Sequence, residues 1–171
     1  QPLINSIQYR EAAGHPKLGS ANYKLVHHDA VSEVGVYSFC MCPGGYVLSS
    51  GTDEDRLVCN GMSNYHRNSP YANSAIVISI DHQKQFGADV YGGMKLRENL
   101  ERSAYQAVIG AGGSKELPAQ KLKDFLEGKL GTVEKGSSPS GVKAVRLDDL
   151  LPPWMKEKLE NALWKFDSQM K

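Results

Sequence analysis

The spacing of apolar residues changes period once along this chain, near residue 92, and that change confines the fold to one that joins strands with helices. Before it, short apolar runs alternate with turn residues. Residues 36–42 (VYSFCMC) and 74–80 (SAIVISI) carry the densest β-branched and aromatic content and predict strands. Residues 23–27 (YKLVH), 46–50 (YVLSS) and 56–60 (RLVCN) predict shorter ones. Pro43, Gly44 and Gly45, and the polar run 51–55, read as turns that close hairpins, so antiparallel pairing is expected.

After residue 92 the period becomes helical. Leu96, Leu100, Ala104, Ala107 and Val108 share a face, with Arg97 and Glu101, and Glu98 and Arg102, as i,i+4 pairs on the exposed side. Gly110 to Gly113 end that helix. This glycine cluster follows a helix rather than a strand, so it lacks the context of a dinucleotide-binding loop. Pro118 is expected to open a second helix with Leu122, Phe125 and Leu126 as its stripe. Pro152 and Pro153 start a last one, on which Met155, Leu159, Ala162, Leu163, Phe166 and Met170 share a face. The expected class is therefore α+β, with an antiparallel β-rich lobe over residues 1–92 and a helical lobe over 93–171. A flexible polar loop is expected at 131–141.

The 171 residues, 40% hydrophobic and 23% charged, suffice for a real core. A net charge of +1 gives no electrostatic case for nucleic acid or an anionic membrane surface, and no apolar run approaches the length of a bilayer span. Three cysteines make no disulfide framework, which suits a reducing, cytoplasmic setting.

Two segments are candidates for chemistry. In Cys40-Met41-Cys42-Pro43-Gly44-Gly45, the glycines allow backbone N–H groups to approach a flat or anionic ligand closely. The other reading is a tight turn beside two small buried thiols. The second segment runs from Asn60 through Gly61, Met62, Ser63, Asn64, Tyr65, His66 and Arg67 to Asn73, a concentration of amide, hydroxyl and cationic groups between apolar strands. Such a run binds a polar substrate or a cofactor edge, or else forms an ordinary solvated loop. No metal site is expected, because the cysteine spacing is not CxxC and the neighbouring His27 and His28 point to opposite faces of a strand.

Three stretches, HPKLGSANYKLVHH (residues 15–28), GVYSFCMCPGGYVLSS (35–50) and VCNGMSNYHRNSPYANSAIVISI (58–80), resemble the middle region of a bacterial family of FAD-dependent dehydrogenases. The resemblance is most specific at YSFCMCPGG and NGMSNYHRNSPYANSA, and the helical half matches mainly in pattern. It implies an inserted, substrate-side domain without the Rossmann FAD-binding fold, flanked by the two parts of a flavin domain of the same polypeptide. Both ends of the chain would then lead back into that flavin domain. On this resemblance Tyr37, Pro43, Gly44 and Gly45 would face the flavin ring, and Cys40, Cys42 and His66 would be the catalytic candidates. Asn60, Met62, Ser63, Asn64, Arg67 and Asn73 would meet an unknown small-molecule substrate. FAD itself would bind mostly outside this chain, and the isolated domain would be inactive. The competing expectation is a non-catalytic binding module, or one that forms a homo-oligomer through its last helix.

Overall fold

The computed structural model describes residues 2–22, 24–51 and 53–170. Helix α1 (Pro2–Tyr9) precedes five strands: β1 (Val26–Asp29), β2 (Val34–Cys42), β3 (Gly45–Ser49), β4 (Cys59–Ser63) and β5 (Asn73–Ile78). Then follow α2 (His82–Phe86), α3 (Gly92–Gly110), β6 (Leu117–Ala119), α4 (Leu122–Leu126), β7 (Val142–Ala144) and α5 (Pro153–Gln169). The fold is α+β, as its two hydrophobic periods predict. Tyr23 and Thr52, which belong to the predicted first strand and second turn, lie outside the described residues.

Three strands form an antiparallel sheet in the order β1-β2-β5, and β3 pairs antiparallel with β4 in a second sheet. The short β6–β7 pair is parallel, joined by the crossover that contains α4. Along β2 the pairing with β5 shifts by one residue between Ser38 and Met41. That is a β-bulge at Phe39 and Cys40, which bends the strand and re-aims its side chains.

The core of the first sheet is closed from the far end of the sequence. Val36 of β2, 1% exposed, packs with Ala162 and Phe166 of α5, and Leu25, Ile78 and Leu159 surround them. Met155, Leu159, Ala162 and Phe166 follow one another at helical spacing, so a single stripe of α5 supplies this contact. Pro153 starts the helix at its first turn, where a missing N–H leaves no bond unmade. Residues 153–169, helical in pattern and distant in sequence, thus complete the core of the strand-rich half. Among the described residues from α3 up to α5, Val108, Leu117, Phe125 and Val145 are the buried hydrophobic side chains.

Several local expectations are corrected. Pro43, Gly44 and Gly45 do not close a hairpin, because β2 and β3 belong to different sheets and the turn carries the chain from one to the other. Pro118 lies inside β6 instead of opening a helix, and α4 begins only at Leu122. A strand proline is compatible with this two-stranded pair because it needs no central-ladder N–H. The strand predicted at 56–60 begins later, at Cys59, because Leu57 N–H is already engaged by the Glu101 carbonyl of α3 at 3.0 Å. Arg97 and Glu101 pair at 3.5 Å as their spacing predicts, whereas Arg102 turns to Asp55 at 3.0 Å. Residues 131–141 are irregular, yet Ser138 is only 6% exposed.

Candidate functional site

The sheet-to-sheet turn is held by the loop that follows β4. Gly44 has φ +55°, a left-handed conformation that side chains rarely adopt, and a Cβ there would collide with the carbonyl of Arg67. A Cβ on Gly45 would strike the Met62 carbonyl. Gly45 N–H donates to the Tyr71 carbonyl at 2.9 Å, and the Ser69 hydroxyl donates to the Gly45 carbonyl at 2.9 Å. The Ser63 hydroxyl donates to the Pro43 carbonyl at 3.0 Å. Both glycines therefore permit close approach of protein backbone, and Gly44 and Gly45 are themselves buried.

Asn73 fixes the second sheet against the first. Its side-chain amide donates to the Tyr46 carbonyl at 3.3 Å, and its amide oxygen occupies the space a side chain on Gly61 would need. With Asn73 pinned at the start of β5, strands β2, β4 and β5 enclose a pocket of about 270 Å³. Cys40, Cys42, Cys59, Asn60 and Asn73 line it, with Phe39 and Val47. All of the chain's cysteines thus face one cavity. Cys40 also lines a neighbouring, more polar cavity of about 350 Å³ with Asn22, Pro43 and Arg67. Arg67 is held at φ +48° in the loop, and its N–H donates to the Asn64 carbonyl at 3.0 Å.

The structure gathers Cys40, Cys42, Asn60 and Asn73 around one pocket, and Cys40, Pro43 and Arg67 around its neighbour. The other predicted residues stand outside both. Tyr37 lies over Gly35 on β2 and is 37% exposed, and Met62 is 42% exposed on β4. Ser63 is engaged with Pro43, while Asn64 and His66 are exposed, the His66 ring edge-on to Tyr65 at 5.4 Å. Cys59 is the site residue that sequence reasoning missed. Nothing local marks it, since it joins Cys40 and Cys42 only through the pairing of β3 with β4 and the contact between sheets. Partial desolvation pushes its thiol pKa above the ordinary value. Among the described residues no group of three or more His, Cys, Asp or Glu is arranged to hold a metal ion.

A dinucleotide fold holds the FAD pyrophosphate on a glycine-rich turn running from a strand into a helix N-terminus. The strand-to-helix connections here, Ser79 to Asp81 and Gln120 to Lys121, contain no glycine. These residues do not fit the dinucleotide. Tyr37 and Phe39, 37% and 59% exposed, stand on the bulged strand, with Phe39 lining the cysteine pocket.

The fold and the site define an α+β domain in which three cysteines meet where two antiparallel sheets come together. The chain belongs to the FAD-dependent protein, C-terminal domain-like family, whose model matches residues 1–171. It is 36% identical over 174 residues to an "Uncharacterized protein" of Clostridium beijerinckii (strain ATCC 51743 / NCIMB 8052), a match that covers 100% of this chain and 32% of the relative. The chain therefore spans about a third of the length of that curated relative. No helix among the described residues is long and apolar enough to cross a membrane.

Proposed function

We propose that this domain forms the substrate side of the active site in a FAD-dependent oxidoreductase, a dehydrogenase, and is catalytically incomplete alone. The observation that carries the reading is the half-covered sheet. One face of β1-β2-β5 is covered by α5 around Val36 and Ile78, while on the other the cross-strand pair Tyr37 and Val77 is 37% and 42% exposed, and Phe39, farther along β2, is 59% exposed. An antiparallel sheet that leaves large apolar side chains open on one face, beside a β-bulge and a thiol-lined pocket, has the features of a surface awaiting a partner. In a chain matching a third of its relative, the occupant we assign is the flavin-carrying part of the same polypeptide.

In this arrangement Phe39 and Tyr37 lie against the flavin domain, and Cys40 or Cys42 meets the substrate. Asn60 and Asn73 supply amide groups, and Arg67 supplies a cation for a polar substrate group. The self-association reading draws little from α5, because Phe166 is 3% exposed within the core and Leu163 is half-buried. Trp164, 60% exposed, is the large apolar side chain that helix leaves open along its middle.

The test is a titration with FAD, followed by flavin fluorescence and visible absorption, on the isolated chain and on the intact polypeptide. The expected result is negligible binding to the former and stoichiometric flavin in the latter, with slowed flavin reduction in Cys42→Ser. Tight binding by the isolated chain would overturn the placement of the cofactor. Unchanged reduction kinetics in both Cys40→Ser and Cys42→Ser would remove the thiols from the mechanism.

A further inference from the structure

A third cavity, of about 510 Å³, lies between the β3–β4 pair, α3 and the β6–β7 pair, a volume in the range of about 300–1,000 Å³ that small-molecule sites occupy. Its walls are Val47 and Leu57 on one side, Ala104 of α3 below, and Leu117, Pro118 and Val142 on the other. The segment 136–138 also lines it. Among the described residues no charged side chain lines it, and the buried Ser138 hydroxyl already has the Ser140 hydroxyl at 3.2 Å. A charged ligand would lose its hydration there without a replacement, whereas an apolar one loses nothing.

The cavity is connected to the chemistry. Val47 and Cys59 line both this cavity and the three-cysteine pocket, so the two spaces meet across those side chains. The raised pKa of the Cys59 thiol agrees with an apolar surrounding. The walls are also tied to their neighbours by bonds of their own. Leu57 N–H is fixed to α3 through Glu101, and Leu117 N–H donates to the Gly141 carbonyl at 3.1 Å. This is a concavity built from several elements, unlike the sheet face over Tyr37 and Val77 that suits another domain.

We propose that the intact protein takes a substrate with an uncharged hydrocarbon or aromatic body, seated in the cavity between Val47, Ala104 and Val142, with its polar end in the pocket of Cys40, Cys42 and Cys59. The placement of the polar end rests on the flavin reading above, and the apolar seat does not.

The test uses the intact polypeptide, the uncharged fluorophore N-phenyl-1-naphthylamine as probe, and 1-decanol as competitor. Saturable fluorescence enhancement, reversed by decanol, is expected. Alkylation of Cys59 by N-ethylmaleimide, read by peptide mass spectrometry, should slow by about tenfold when the probe is present at about ten times its Kd. Ala104→Trp, which fills the cavity, should abolish both effects, and should Ala104→Trp fail to fold, protection of Cys59 in the unaltered protein decides the matter. Unsaturable fluorescence, or a Cys59 alkylation rate unaffected by probe, would overturn the proposal and mean that another part of the polypeptide fills the space. The flavin absorption band separates the two readings. Protection of Cys59 in a protein that takes up no flavin sinks the flavin reading alone, and bound flavin without protection sinks the apolar seat alone.

Discussion

Lys158 of α5 donates to the Asp29 carboxylate at the end of β1 at 2.5 Å, tying residues 129 positions apart in sequence. The same carboxylate accepts from Val31 N–H at 2.9 Å and Ser32 N–H at 3.3 Å, so it also shapes the turn between β1 and β2. The contact lies at one edge of the apolar stripe formed by Leu159, Ala162 and Phe166, and it fixes the register of the helix on the sheet.

This pair gives the protein an acid-sensitive joint. Lys158, followed by the backbone donors, holds the Asp29 carboxyl well below the usual carboxylate range. A depressed folded-state pKa contributes stability above the unfolded value, about 3.9, and that stability is lost as pH falls below it. The melting temperature should decline steeply once pH drops below about 4, and Asp29→Asn should lower it at neutral pH while flattening that decline. An unchanged slope in thermal melts of the variant would remove Asp29 from the acid response.

Asp148 makes the second such joint. Its side chain is fully buried and accepts from Arg146 at 2.5 Å, Lys156 at 3.0 Å and Gln120 at 2.9 Å. Gln120 accepts in turn from Leu147 N–H at 2.8 Å, which ties the residue after β6 to the short 3-10 turn at Leu147–Asp149. Asp148→Asn leaves two cations facing an amide and should cost about 2–3 kcal/mol, read by urea denaturation. A loss within error of zero would show that the cations simply turn to solvent.

Gly44→Val should act on folding of the site more than on chemistry. It demands a β-branched residue at φ +55° and drives a side chain into the Arg67 carbonyl. A destabilisation of about 2–4 kcal/mol is expected, with the loop over residues 63–71 losing hydrogen-exchange protection first. Full stability with lost activity would point instead to direct contact between Gly44 and a ligand.

Asn73→Ala should separate the two sheets at their junction. It removes the bond to the Tyr46 carbonyl and leaves a gap beside Gly61, at a cost of about 1–2 kcal/mol. N-ethylmaleimide labelling of Cys42 should quicken in this variant, since the pocket they share opens. Equal labelling rates would mean that the pocket is held by other contacts.

Much of the local structure was legible from residue spacing. The β-branched runs locate β2 and β5, the helical stripes locate α3 and α5, and Pro153 marks where the last helix starts. These signals are local because side-chain periodicity is a property of the element itself. Pro43, Gly44 and Gly45 likewise mark a turn after β2, since proline and glycine restrict or free the backbone wherever they occur.

The tertiary structure decided the rest, because it depends on which distant segments pair. Pro43, Gly44 and Gly45 carry the same turn chemistry whether they close a hairpin or pass the chain between sheets, and only the competing partners β5 and β4 settle which. Nothing near Cys59 assigns it to the pocket of Cys40 and Cys42; the contact between two sheets does. The stripe on α5 announces that it must be buried, but the surface that buries it, around Val36, lies more than a hundred residues earlier in the chain. Burial is a requirement a sequence can state, and the partner that satisfies it exists only once the chain has folded.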